Sequence, residues 1–175
     1  MKFIKTAING VYVIKPDLLK DERGFFARMW CRDEFIAEGL NPQLVQCNIS
    51  FNKEKGTIRG MHYKVDPFPE VKVVRCTMGS IFDVALDLRP DSPTCYEWAS
   101  FHLSSSNHRL IYIPEGVLHG FQTLENNTEV FYQMSQQYHP ESARGVRWDD
   151  PEIGITWPIP VSCISKKDLS YPLVR

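Results

Sequence analysis

Short segments of β-type sequence recur roughly every ten residues, and this spacing limits the fold more than any other feature. Earlier candidate strands cover 10–16 and 25–30; later ones cover 44–51, 57–63, 70–77, 80–88, 97–103, 109–113, 119–124, 128–137 and 145–148. Glycine, proline and asparagine separate them, as turns require. So many short strands with so little helix predict an all-β jelly-roll barrel. Such a barrel binds ligands inside or at its mouth.

One segment, 33–38, is predicted as a helix, and the fold is expected to contain one or two short helices in all. Asp33 would cap this helix, Phe35 and Ile36 would pack inward, and Gly39 would end it. The tail, from about 149 to 175, is expected to pack over the barrel. The chain is therefore predicted to form a single domain, 1–175.

Composition excludes several classes of protein. A formal net charge of -1 argues against a nucleic-acid-binding protein that works through a broad basic surface. No apolar run approaches the length of a membrane span, and Lys5 and Asn9 interrupt any signal peptide. The five cysteines are widely spaced and include no Cys-x-x-Cys motif, which is typical of reduced thiols. A cytoplasmic protein without membrane or nucleic-acid partners is expected.

The most informative stretch is Arg59-Gly60-Met61-His62-Tyr63, followed ten residues after His62 by Lys72. One strand would present Arg59 and His62 to a concave site, and the next strand would present Lys72. Each residue alone has an ordinary structural explanation, on the surface or in a strand. Together a guanidinium, an imidazole and an ammonium group indicate an anionic ligand whose chemistry removes a proton.

Three further stretches, and the tail, place polar groups among apolar strands. Gln46 and Asn48 share one strand face and are either a structural hydrogen-bonded pair or ligand contacts. His119 begins a strand directly after the turn at 114–116, with Gly120 leaving room beside its ring. Tyr132 faces the same way as Met134, although aromatic residues in β proteins are usually core. The remaining candidates are Tyr138, Lys167 and Asp168; the last two matter only if the tail reaches the site.

Taken together, these residues resemble the dTDP-4-dehydrorhamnose 3,5-epimerase family over almost the whole chain. The matching motifs include Asp21-x-Arg23-Gly24-x-Phe26, Gln46-x-Asn48-x-Ser50, Gly56-Thr-x-Arg59-Gly60-x-His62-Tyr63, Asp83-Val84-x-x-Asp87, Pro114-x-Gly116-x-x-His119-Gly120-Phe121 and Ser165-x-Lys167-Asp168. The resemblance implies a cupin-type jelly roll and an isomerase of deoxysugar biosynthesis. Such an enzyme inverts C3, C5 or both in a nucleotide-linked 4-keto-6-deoxy sugar, without a metal or other cofactor.

The resemblance also implies a role for each matching residue. His62 would be the base, oriented by Asp168; Tyr132 would be the acid on the opposite face; Lys72 would stabilise the enolate oxygen. The expected substrate contacts are Arg23, Arg59, His119 and Lys167 around the diphosphate and sugar, Gln46 and Asn48 at the nucleotide, and Tyr138 stacked on the base. The family is typically dimeric with a shared N-terminal strand, so a homodimer is expected.

Three positions depart from the family pattern. Arg28 stands where a glutamate is usual, Lys64 replaces a glutamine after the His-Tyr pair, and Ala143 replaces a glutamate. Arg28 and Lys64 are therefore candidate substrate contacts. These changes leave open which nucleotide and sugar are bound, and whether C3, C5 or both are inverted.

Two other interpretations compete with this one. Pro114-x-Gly116-x-x-His119 matches the second motif of metal-dependent cupins, but Gly60 occupies the place where a partner histidine of His62 would stand. A non-catalytic sugar-binding barrel would have no need for His62 and Tyr132 as base and acid on opposite faces.

Overall fold

The computed structural model describes residues 1–174, and two β-sheets dominate it. The first sheet has the order β1-β2-β10-β7-β12-β5 and the second the order β13-β6-β11-β8-β9, with neighbours antiparallel. The first sheet contains β1 (Lys2–Lys5), β2 (Tyr12–Lys15), β5 (Gln46–Asn52), β7 (Lys72–Met78), β10 (Leu110–Ile113) and β12 (Thr128–Met134). The second contains β6 (Thr57–Lys64), β8 (Ser80–Asp87), β9 (Trp98–Ser104), β11 (Val117–Thr123) and β13 (Ala143–Gly145).

The remaining elements are short. Strands β3 (Leu19–Asp21) and β4 (Gly24–Phe26) form a separate hairpin, and β14 (Cys163–Ile164) pairs in parallel with β6. The helices are α1 (Arg32–Ala37) and α2 (Lys166–Leu169), with a 3₁₀ turn at Pro140–Ser142. The predicted all-β fold with one or two short helices is confirmed. No helix within residues 1–174 is both long and apolar enough to cross a membrane.

The main core lies between the two sheets. Val74 and Cys76 from β7 meet Ile81 and Ala85 from β8 in one buried cluster. On the outer face of the second sheet, Val84 and Leu86 pack with tail residues such as Ile153 and Trp157. The alternation in β8 therefore separates Asp83, Ala85 and Asp87 from the apolar outer face, as the period of two predicts.

Several boundaries differ from the sequence-based prediction. Helix α1 begins after Cys31 rather than Asp33, has no side-chain cap, and leaves Ile36 53% exposed, while Phe35 is buried as expected. Gly39 follows the helix with φ of 71°, the left-handed conformation that suits glycine after a helix end. The strand expected at 25–30 stops at Phe26, and the one expected at 145–148 lies at Ala143–Gly145.

Candidate active site

A cleft between the two sheets collects most of the polar side chains singled out in the sequence. It has two adjoining lobes of about 470 and 440 Å³. The first lobe is lined by Arg59, His119, Phe121 and Asp168, among others, and the second by Gln46, Asn48, Lys64, Glu70 and Tyr138, among others. Four side chains line both lobes, namely His62, Lys72, Tyr132 and Lys167.

An irregularity in β6 explains how Arg59 and His62 both reach the cleft. Residues three apart in a regular strand point to opposite faces. Here the pairing with β11 shifts, so that His62 opposes His119 while Arg59 opposes Phe121, and one extra residue is inserted in β6. Gly60, inside this bulge, has φ of 127°, and a Cβ there would lie 2.5 Å from the Cα of Gly120. Only glycine fits this crossing without displacing a strand.

His62 forms a dyad with Asp168. Its Nε2 atom lies 2.7 Å from Oδ1 of Asp168, and the ring is 39% exposed while the carboxylate is 6% exposed. Burial alone would raise the pKa of Asp168, but the hydrogen bond and charge of His62 outweigh it and lower that pKa. Asp168 is thus ionised at neutral pH. A buried carboxylate on one ring nitrogen leaves the other nitrogen free to accept a proton.

The tail delivers Asp168 to this position. Strand β14 runs beside β6, pairing Cys163 with Thr57 and Ile164 with Ile58. Ser165 then caps α2, its hydroxyl accepting a hydrogen bond from the backbone N–H of Asp168 at 3.0 Å. The tail therefore reaches the cleft, which was the condition that the sequence set for Lys167 and Asp168.

A second dyad joins His119 and Asp83. The Nε2 atom of His119 lies 2.7 Å from Oδ2 of Asp83, which is fully buried. Strands β8 and β11 bring the pair together. Asp83 opposes Phe121 in the register, and His119 lies two residues from Phe121 on the same face of β11. Sequence reasoning assigned His119 to the site but gave Asp83 no role. The available signal was an aspartate on the inward face of an otherwise apolar strand.

Tyr132 faces His62 from the other sheet. It lies on β12 of the first sheet, whereas His62 lies on β6 of the second. Burial raises the pKa of Tyr132, and the nearby positive charge of Arg59 offsets part of that effect. The phenol is thus protonated at neutral pH. Arg59 is itself held by its Nε–H, which donates to Oδ1 of Asn52 at 2.7 Å.

Lys72 supplies an ammonium group at the junction of the lobes. Its side chain is 15% exposed and forms an ion pair with Glu70, whose side chain is 2% exposed. Burial lowers the pKa of Lys72, and the adjacent carboxylate of Glu70 opposes this shift. Glu70 was not among the residues selected from the sequence.

The second lobe has an amide wall and an aromatic wall. Gln46 donates to Oδ1 of Asn48 at 3.0 Å and accepts from the backbone N–H of Tyr138 at 3.0 Å. Lys64 lies over the ring of Tyr138, 4.5 Å from its centroid, and donates to the carbonyl of His139 at 2.5 Å. Lys64 therefore holds the segment that carries Tyr138. Ala143, the other departure in this region, opposes Lys64 in the sheet.

Arg23 and Arg28 lie elsewhere. Within residues 1–174, neither lobe includes them. Arg23 is in the β3–β4 hairpin, 83% exposed and paired with Asp21, and Arg28 is paired with Glu34 beside α1. Their predicted contact with substrate stays a prediction, because this chain by itself does not bring them to the cleft.

The sequence matches the family model described as dTDP-4-dehydrorhamnose 3,5-epimerase over residues 5–175. The chain belongs to the dTDP-4-dehydrorhamnose 3,5-epimerase family. A family member from Methanothermobacter thermautotrophicus is 41% identical, covering 99% of this chain and 95% of its own. The family assignment made from the motifs is thus confirmed.

Solved structures of similar proteins agree with this family. The dTDP-4-dehydrorhamnose 3,5-epimerase from Bacillus anthracis, with TDP and PPi bound, superposes with a TM-score of 0.95 at 38% identity and covers 99% of both chains. ChmJ, a 3'-monoepimerase from Streptomyces bikiniensis in complex with dTDP-quinovose, superposes with a TM-score of 0.90 at 26% identity, covering 97% of this chain and 86% of its own. The cupin-type jelly roll expected from the resemblance is confirmed.

Proposed function

We propose that this protein inverts C3, C5 or both in a nucleotide-linked 4-keto-6-deoxy sugar, with a dTDP sugar as the first candidate substrate. One observation carries the proposal: His62 and Tyr132 come from facing sheets and line the same cleft with Lys72. Epimerisation needs a base and an acid on opposite faces of the sugar ring, and a cation for the charge that develops between them. The family membership makes the chain a sugar-nucleotide epimerase, an isomerase of deoxysugar biosynthesis.

The chemistry follows from the ketone at C4, which acidifies the protons at C3 and C5. His62 removes one of these protons, and Asp168 stabilises the resulting imidazolium across their 2.7 Å hydrogen bond. Lys72 donates to the enolate oxygen. Tyr132, whose pKa is raised by burial, carries the proton that is returned to the opposite face. In this scheme the ketone supplies the acidity, so no cofactor takes part.

The two lobes suit the two ends of the substrate. A nucleotide sugar is linear, so its nucleotide and its sugar occupy opposite sides of the diphosphate. We assign the nucleotide to the second lobe, where Gln46, Asn48 and Tyr138 can contact it, and the sugar to the first lobe, where His119 lies. The sugar would reach the junction of the lobes, where His62, Lys72 and Tyr132 lie. Lys167 also lines both lobes and is placed to bind the diphosphate where it joins the sugar.

A homodimer is part of the proposal. The β3–β4 hairpin exposes Leu19 (65%) and Phe26 (70%), and β5, at the end of the first sheet, exposes Ile49 (63%). Large apolar side chains left in water on a hairpin and a sheet edge are typical of an interface. Contact through this hairpin would also let Arg23 contact substrate bound in the cleft of a second copy. Size-exclusion chromatography with light scattering tests this proposal, and a monomer at micromolar concentration would contradict it.

Residues 1–175 are proposed to act as one cupin-type epimerase domain. A cytoplasmic location is also proposed, because all five cysteines are free thiols.

The metal-dependent alternative is tested separately. Within residues 1–174, no three His, Cys, Asp or Glu side chains are grouped in a way that could hold a metal ion. Elemental analysis of the purified protein decides between the alternatives. A stoichiometric metal whose removal abolishes turnover would count against the enolate scheme.

The decisive assay for the reaction is uptake of solvent deuterium. The protein is incubated in heavy water with dTDP, GDP and CDP 4-keto-6-deoxy sugars in turn, and mass spectrometry counts the deuterium atoms gained. One atom indicates exchange at one centre, and two indicate exchange at both. No uptake with any member of the panel would refute the proposed function.

A further inference from the structure

We propose that Glu70 is a positioning residue for this reaction, holding the ammonium group of Lys72 charged and directed at the ketone oxygen of the sugar. The inference rests on the proposed function. It assigns a role to a residue that neither the motifs nor the proton-transfer scheme requires.

The pair is buried and its backbone is held in place. Glu70 and Lys72 have side chains that are 2% and 15% exposed and are in direct contact. Between them, Val71 donates its backbone N–H to Oγ of Ser135 at 2.8 Å and accepts from the backbone N–H of Ser135 at 3.0 Å. Two hydrogen bonds therefore fix the backbone segment between the carboxylate and the ammonium group. A contact at a surface would be free to rearrange, whereas this one is not.

Charge explains why Lys72 needs a carboxylate. Glu70 is the one acidic residue of the described chain, 1–174, that lines the second lobe. The cations Lys64 and Lys167 line that lobe with Lys72, and Arg59 lines the other lobe with it. Like charges and burial both favour loss of the proton from an ammonium group. Glu70 opposes both effects, as its influence on the pKa of Lys72 indicates.

The other titratable groups that face Lys72 do not replace Glu70. His62 and Asp168 line the first lobe with Lys72 and are engaged with each other. Tyr132, on β12, has a raised pKa and carries no charge at neutral pH. The counter-charge for Lys72 thus comes from Glu70.

The geometry leaves Lys72 able to act. An ammonium group has three donors. Oε1 of Glu70 accepts one of them, and the other two remain for oxygen atoms of the substrate. Oε2 of Glu70 is buried and accepts no hydrogen bond from any residue of 1–174.

The test uses Glu70→Gln, which keeps the shape of the side chain and removes its charge. Deuterium uptake is measured against pH for this variant, for Glu70→Asp and for Glu152→Gln, which removes an exposed carboxylate outside the cleft. Glu70→Gln is expected to move the alkaline limb of the exchange rate to lower pH. When the pKa of Lys72 lies one unit below the assay pH, about nine-tenths of the Lys72 side chains have lost the ammonium proton. Glu70→Asp should restore part of the rate, and Glu152→Gln should match the unmodified protein.

A second readout does not depend on turnover. The ¹³Cε resonance of Lys72, assigned by its loss in Lys72→Met, is titrated in the full-length protein. Its pKa should be lower in Glu70→Gln than in the unmodified protein. An unchanged Lys72 titration, or a slower rate without a shifted alkaline limb, would overturn the role of Glu70. Absence of exchange in the unmodified protein would instead overturn the proposed function, while the titration still decides whether Glu70 keeps the proton on Lys72.

Discussion

Replacing Asp168 with asparagine separates the orientation of His62 from the stabilisation of its charged form. Asparagine keeps the size of the side chain and loses the negative charge that faces the imidazolium across 2.7 Å. A hydrogen bond to a charged group contributes about 1.5–3 kcal/mol. At about 1.4 kcal/mol per factor of ten, Asp168→Asn should slow deuterium exchange by about 10- to 150-fold.

The assay is the initial rate of deuterium uptake, followed by mass spectrometry at saturating substrate. The matched control is Asp149→Asn, which removes an exposed carboxylate of the same tail that is paired with Arg147. Binding of substrate should be nearly unchanged in both variants, because Asp168 acts through His62. An exchange rate for Asp168→Asn equal to that of the control would refute the reasoning.

Three further predictions follow from the same geometry. Tyr132→Phe should retain exchange and lose inversion, since only the return of the proton to the opposite face requires the phenol; NMR of the product checks this. Lys64→Gln should raise KM by about tenfold with a smaller effect on kcat, because Lys64 holds His139 and the adjacent segment through a charged hydrogen bond; steady-state kinetics checks this. Asp87→Asn should lower the free energy of unfolding by about 3 kcal/mol, since it leaves the Arg89 guanidinium without its buried partner. Burial would raise the pKa of Asp87, but its hydrogen bonds, led by that from Arg89, outweigh burial and lower the pKa. The stabilisation of the folded protein by ionised Asp87 is therefore complete above about pH 4, and it disappears as pH falls through the lowered pKa. Urea denaturation across acid pH should show the two proteins converging, and a constant difference would contradict the assignment.

Most of the fold could be predicted from the sequence because it depends on local patterns. The alternation in β8 sets which side of the strand faces the core, and turn residues such as Gly79 and Gly116 mark where strands end. The number of short strands predicted the jelly-roll barrel, and the resemblance to the family then predicted its cupin type and the residues that meet in the cleft. His62, Lys72 and Tyr132 lie together as expected.

What could not be predicted depends on pairing between distant segments. The bulge that turns Arg59 and His62 to the same side is set by the register of β6 against β11. The contact of Asp83 with His119 requires the pairing of β8 with β11, and no spacing along the chain indicates it. Glu70 is two residues from Lys72, so a regular strand would also place the two on one face. Its burial, however, follows from the packing of the whole cleft.

The region around α1 shows a different limit of prediction from sequence. Asp33 has the right chemistry for a cap, yet the residue at the cap position of α1 is Cys31, two residues earlier. Arg28 pairs with Glu34 of that helix rather than lining the cleft. Local propensity favoured a cap at Asp33, and the tertiary position of α1 decided where the helix begins. The predicted contact of Arg28 with substrate, which came from the family pattern, stays a prediction.

The most direct test of the central claim compares His62→Ala with the unmodified protein in heavy water. If His62 is the base that removes the proton beside the ketone, the unmodified protein takes up deuterium at C3, C5 or both. The variant should lose uptake by about 10²–10⁴-fold, the usual contribution of a positioned general base. Deuterium uptake by His62→Ala at the rate of the unmodified protein would contradict the account.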